Sequence, residues 1–204
     1  MMPPRLRLVL VLLLVVFNFV LLGSLLLGDR KDPDETAASE SVFSGAMLPA
    51  GIRAPDFRLR DEDGAPVTMA GLRGEVVLAT FVYSTCDESC GPQLQLIRRA
   101  LDELGRDIPT LAISADPRTD TAARARRFLL EQRMLGRTRF LLGDADAMSP
   151  VYKGFFVQPQ TAETEHHARL VLIDRRGFQR VGYTLANTSS AGIAADIRRL
   201  QAGS

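Results

Sequence analysis

The longest apolar run comes first. From Leu8 to Leu27 only Asn18, Gly23 and Ser24 interrupt it, and a helix needs about 20 such residues to cross a bilayer. Arg5 and Arg7 precede the run, as in a secretory signal or signal anchor. No Ala-x-Ala-type cleavage site follows directly, and no cysteine near its end suggests a bacterial lipid anchor. The expectation is an uncleaved single-pass transmembrane helix in residues 1–28. Arg30 and Lys31 balance the charges ahead of the run, so orientation rests on the short N-terminal tail staying inside. That puts the rest of the chain on the extracytoplasmic side of the cell membrane.

Residues 29–50 are rich in Asp, Glu, Ser, Ala and Gly without periodicity, the texture of a tether. Residues 51–204 alternate between two periods. Asp56 to Arg60 alternates, Asp63-Gly64 turns, and Val67-Thr68-Met69 returns, which predicts a hairpin. Val76 to Tyr83 is an apolar, β-branched run of strand length. Leu94, Ile97, Leu101 and Leu104 then recur at helical spacing, with Gln95, Arg98, Arg99 and Asp102 on the opposite side. A strand follows at Ile108 to Ala115, a helix at Thr121 to Met134, a short strand at Phe140 to Leu142 and a short helix at Asp146 to Phe155. Arg169 to Ile173 and Gln179 to Thr184 form a second hairpin around Asp174-Arg175-Arg176-Gly177, and Ser190 to Leu200 closes the chain as a helix. This order is α/β with a mixed sheet. Such sheets place ligands at the carboxyl ends of their strands.

Charge narrows the partners. With 25 Lys and Arg against 24 Asp and Glu, interspersed, and no Trp, the chain has no nucleic-acid footprint. Its methionines are scattered, so there is no methionine-rich copper motif.

The chemistry concentrates in four residues. The chain has two cysteines, Cys86 and Cys90, and two histidines, His166 and His167. Cys86 falls in the turn between the apolar strand and the helix, and Cys90 in the first helical turn. There the unpaired N–H groups and the helix dipole favour a thiolate. Three readings are open. A structural disulfide suits an exported chain with an even cysteine count. It would close only a tiny loop, and in a regular helix β-carbons four residues apart stand about 5–6 Å from each other against the roughly 3.8 Å a disulfide wants. A strained, accessible disulfide would suit redox exchange. Two thiolates with one imidazole form a soft three-ligand set for copper, whereas structural zinc usually takes four protein ligands. Adjacent strand residues face opposite ways, so one histidine at most would join the sulfurs.

Several of these segments together resemble a known family. Ala54-Pro55-Asp56-Phe57 through Leu72-Arg73-Gly74, and the strand leading to Tyr83-Ser84-Thr85-Cys86, resemble the thioredoxin-like superfamily. The C-x-x-x-C spacing, Ala115-Asp116-Pro117-Arg118-Thr119-Asp120-Thr121, and Glu165-His166 ahead of Leu172-Ile173-Asp174 resemble the Sco/SenC family of membrane-anchored copper proteins. That family takes part in cytochrome c oxidase assembly. The resemblance spans roughly Ala54 to Leu200. It implies a thioredoxin-like mixed sheet flanked by helices, with one copper ion, Cu(I) or Cu(II), held by Cys86, Cys90 and His166. His166 matches by its spacing ahead of Asp174, and His167 stands where the family usually has Ser or Thr. Asp116 matches an acidic residue near the family's site. The implied function is a metallochaperone delivering copper to a cytochrome c oxidase subunit or another cuproprotein. The alternatives are a thiol–disulfide oxidoreductase, with Cys86 and Cys90 as the redox dithiol, and a copper or redox sensor. The chain departs from the family where proline often follows each cysteine: here Asp87 follows Cys86, and Gly91-Pro92 follow Cys90. A peroxiredoxin reading lacks its upstream Pro and Thr, since Ala79 and Tyr83 stand at those spacings.

Overall fold

The structure is a computed structural model that describes residues 3, 12–18, 42–86, 89–160 and 169–203. The chain divides into two compact units, Met1–Glu40 and Ser41–Ser204. In the first, residues 12–18 are helical, and the side chains from Leu12 to Phe17 are all exposed. The Asn18 amide donates back to the Leu14 carbonyl at 2.9 Å, so the one polar side chain here is satisfied within its own helix. Among the described residues no helix is long and apolar enough to cross a membrane.

The second unit is built on a six-stranded sheet in the order β1-β8-β7-β4-β5-β6. Its strands are β1 (Ala46–Met47), β4 (Val77–Val82), β5 (Thr110–Ser114), β6 (Arg139–Leu141), β7 (Leu170–Ile173) and β8 (Gln179–Tyr183). β2 (Arg58–Arg60) and β3 (Pro66–Thr68) form the expected separate hairpin. β4 pairs parallel with β5 and antiparallel with β7; β5 and β6 are parallel, and β7, β8 and β1 antiparallel. This is the thioredoxin-like mixed sheet anticipated from the sequence. All six β4 residues are buried, because the strand is paired on both edges and covered on both faces. Such a strand reads as a continuous apolar run rather than an alternation.

Among the described residues of the second unit, four α-helices divide between those faces. Leu78 and Val82 join a core with α1 (Cys90–Leu104), α2 (Ala122–Glu131) and α4 (Ser190–Ala202). Val77, Ala79 and Phe81 face α3 (Ala145–Phe155) and the hairpin. Thr80 falls on the α1 side by the same alternation. Ring pairs anchor both halves: Phe81 meets Phe155 edge-on at 5.3 Å, and Phe128 meets Phe140 at 6.1 Å.

Two boundaries differ from the sequence reading. Of residues 42–50, expected as the end of the tether, 43–48 fold onto the sheet. Phe43 is buried, β1 pairs with β8, and the wholly buried Asp196 of α4 accepts from the Ser44 and Gly45 amides at 2.9 and 3.0 Å and from the Tyr183 hydroxyl at 2.8 Å. A Cβ on Gly45 would meet the Tyr183 ring at 2.5 Å, so this approach needs glycine. Burial and the Asp196 bond together push the Tyr183 hydroxyl well above the usual tyrosine range. α2 stops at Glu131, short of Met134, because Arg133 turns at φ 55° and Met134 folds back to donate to the Leu129 carbonyl. Asp196→Ala leaves the Tyr183 hydroxyl buried without its acceptor and should cost about 2–3 kcal/mol in urea unfolding. An unchanged midpoint would deny that residues 42–47 are held by this carboxylate.

Candidate functional site

β4 ends at Val82, and its last carbonyl accepts from the Ala115 amide at 2.8 Å. The chain then turns at once, the Cys86 amide donating to the Tyr83 carbonyl at 3.2 Å. Helix α1 begins at Cys90 itself, with Ser89 at the cap and making no side-chain cap bond. In place of that bond the Cys90 amide donates to Cys86 Sγ at 3.2 Å, and Ser89 Oγ lies 3.6 Å from the same sulfur. An otherwise orphaned helix N–H therefore points at the first sulfur. Pro92 fits the first turn, where its missing N–H costs nothing.

Cys86 and Cys90 are joined as a disulfide, their α-carbons 5.9 Å apart. The expected conflict with helix geometry does not arise: Cys86 precedes the helix, and this separation lies within the roughly 4.4–6.8 Å span of disulfides. The two sulfurs are not equivalent. Cys90 is 1% exposed and sits in the core, whereas Cys86 is partly exposed at its edge.

Asp116, expected beside the site, is occupied by its own turn. Its carboxylate accepts from the Arg118 amide at 3.2 Å and from the Thr119 hydroxyl, and its backbone carbonyl accepts from the Thr119 and Asp120 amides. Among the described residues, a carboxylate bonded to the cysteine turn is that of Asp120, which the sequence reading missed. One oxygen accepts from both the amide (2.8 Å) and hydroxyl of Ser84, and the other from the Ser114 hydroxyl at the end of β5. Burial raises the Asp120 carboxyl above its ordinary range, and the Ser114 and Ser84 bonds oppose that rise. Its one sequence signal is an acidic residue directly ahead of Thr121, the cap of α2.

His166 and His167 lie outside the described residues, as do Asp87 and Glu88. The residues that bracket the histidines are described. The Gln160 amide donates to the Ala115 carbonyl at 2.8 Å. The Arg169 carbonyl accepts from the Phe81 amide at 3.3 Å, the Thr80 hydroxyl at 3.1 Å and the Gln93 amide at 3.2 Å. Gln160 and Arg169 are thus both bonded where β4 and β5 deliver their carboxyl ends. Among the described residues no three His, Cys, Asp or Glu side chains cluster as metal ligands.

A thioredoxin-like sheet with a cysteine pair spanning the turn from its central strand into the next helix defines the class. The chain belongs to the SCO1/SenC family, whose model matches residues 46–202. It is similar to the solved structure of ScoI from Bradyrhizobium japonicum with copper bound. That match has 26% identity and a TM-score of 0.62, and covers 72% of this chain and 99% of that one. It is 26% identical over 169 residues to the mitochondrial SCO2 homolog of Bos taurus, covering 76% of this chain and 62% of that protein. It is also 26% identical over 83 residues to the SCO1 homolog of Bacillus subtilis (strain 168), covering 39% of this chain and 43% of that protein. The chain thus spans less than two thirds of these two relatives.

Asp120 supplies a pH signature. Its folded value lies above the ordinary 3.8, so the native state holds this proton more tightly than the unfolded chain. Its favourable contribution is complete at acid pH and is lost as pH rises from about 3.8 through the folded value. Asp120→Asn keeps the shape and removes the titration. The stability of the wild type relative to this variant should fall as pH rises across that window in urea unfolding. A difference that stays flat would contradict it.

Proposed function

We propose that this chain is a membrane-anchored copper carrier that binds one copper ion through Cys86, Cys90 and His166 and passes it to a cytochrome c oxidase subunit or another cuproprotein outside the cytoplasm. The observation that carries the reading is the common lip of the sheet. The cysteine turn leaves β4 there, and Gln160 and Arg169, which bracket the histidines, are bonded to β4 and its neighbours at that same end. Two thiolates and an imidazole suit copper's preference for soft ligands. The copper-bound ScoI structure, at 26% identity, supports the same metal. The run from Leu8 to Leu27, whose described portion exposes one apolar side chain after another, supports the anchor.

The disulfide must be opened before copper can bind, because the ligand is the thiolate. A two-electron reductant of the thiol class converts Cys86–Cys90 to the dithiol and leaves oxidised as its own disulfide. Copper then displaces the thiol protons, so uptake should release protons and strengthen as pH rises. Titration of the reduced full-length chain in mild detergent with Cu(I) should saturate at one equivalent. His166→Ala should weaken binding by about tenfold or more, and Cys86→Ser should abolish it. Affinity indifferent to His166→Ala would remove that residue from the site.

The unequal exposure of the sulfurs favours a second activity at the same dithiol. Accessible Cys86 as thiolate attacks a partner disulfide, forming a mixed disulfide and releasing one partner thiolate. Buried Cys90 then attacks Cys86 Sγ, the second partner thiolate leaves, and this chain ends oxidised with the partner reduced. Cys90→Ser should trap the mixed disulfide through Cys86, visible as a band that vanishes with reductant. No trapped species with oxidised recipient would dismiss this activity.

A further inference from the structure

Between the cysteine helix and the strand beyond the histidines lies a polar chain in an otherwise apolar layer. Gln93 is 1% exposed and Thr80 is fully buried. Gln93 Nε2 donates to both the Thr80 hydroxyl and the Arg169 carbonyl, and the Thr80 hydroxyl donates to that same carbonyl. With the Phe81 amide, three donors converge on one oxygen that offers two lone pairs. Among the described residues, Gln93 Oε1 is buried without a hydrogen-bond partner. An apolar side chain at position 93 would carry none of that desolvation cost, so stability alone does not account for glutamine here.

Geometry does. Gln93 is three residues after Cys90 on the buried face of α1, and Arg169 is three residues after His166. Thr80 stands opposite Leu170 in the β4–β7 register. The bond from Gln93 to the Arg169 carbonyl therefore ties the helix that carries one sulfur to the point where the chain re-enters the sheet from its histidines. We infer that Gln93, with Thr80, is a positioning residue that sets the histidine side of the site against the dithiol. The inference rests on the copper-carrying reading and adds a determinant of its geometry that touches neither metal nor ligand atoms.

The test uses the reduced full-length chain in mild detergent, loaded with Cu(II) from copper sulfate. Electron paramagnetic resonance, thiolate-to-copper absorption, affinity by competition and thermal midpoint are read in parallel. Gln93→Met removes the tie yet leaves the Thr80 hydroxyl and Phe81 amide on the Arg169 carbonyl. Its thermal midpoint should hold or rise, while copper affinity falls about tenfold and the resonance spectrum moves toward that of His166→Ala. Thr80→Val should shift the spectrum the same way, and Thr80→Ser, which keeps the hydroxyl, should restore the wild-type signature. A Gln93→Met protein with wild-type spectrum and affinity overturns the inference. So does one that loses copper only in step with its thermal midpoint, because that is loss of fold. If His166→Ala itself leaves the wild-type spectrum unchanged, the histidine ligand is wrong and both readings fall together.

Discussion

The central strand β4 constrains everything near the site. It is hydrogen-bonded to β5 on one edge and β7 on the other, and its residues are buried on both faces. A strand so confined cannot shift register without moving its apolar set across the sheet, so its carboxyl end emerges at one fixed place. The cysteine turn inherits that precision. Burial of the strand is thus the source of order for a turn that is itself partly exposed.

From that fixed point the turn is held from two sides. The Cys90 amide reaches Cys86 Sγ from within, and Asp120 holds Ser84 from the end of β5. The first contact is electrostatically matched to the reduced state: a sulfur that gains negative charge already faces a helix N–H. The second places a buried carboxylate against Ser84, two residues ahead of the first cysteine.

The elements that were legible in the sequence are those whose burial repeats along the chain. β4 announced itself as an apolar run and α1 by Leu94, Ile97 and Leu101, because each is packed by many neighbours of one kind. β1 was hidden because a two-residue edge strand has no period to detect; its place depends on the distant Asp196, which holds the two amides just ahead of it. The cysteine pair was legible by its rarity, but not its geometry. The expected strain came from applying regular-helix spacing to the pair, whereas Cys86 stands in the turn ahead of a helix that starts at Cys90. Asp116 drew attention because it matches an acidic residue near the family's site, and its carboxylate closes a local turn. Asp120 and Gln93 act through residues that sequence spacing cannot bring together. Gln93 did leave one trace, a polar side chain on the inward stripe three residues after Cys90.

The asymmetry of the two sulfurs bears on how a carrier could both hold and release its metal. A fully buried site would bind tightly but deny a recipient's ligands any approach, whereas a fully exposed one would lose copper to any competing thiol. Here one sulfur is sealed in the core and the other stands at its edge. Under the proposed function, exchange would begin at the accessible Cys86, and Cys90 would be the sulfur to leave last. The same order serves disulfide exchange, which needs an accessible attacking sulfur and a sheltered resolving one. Metal transfer and dithiol chemistry thus ask one thing of the fold: a strand-to-helix turn that shields its second sulfur and presents its first.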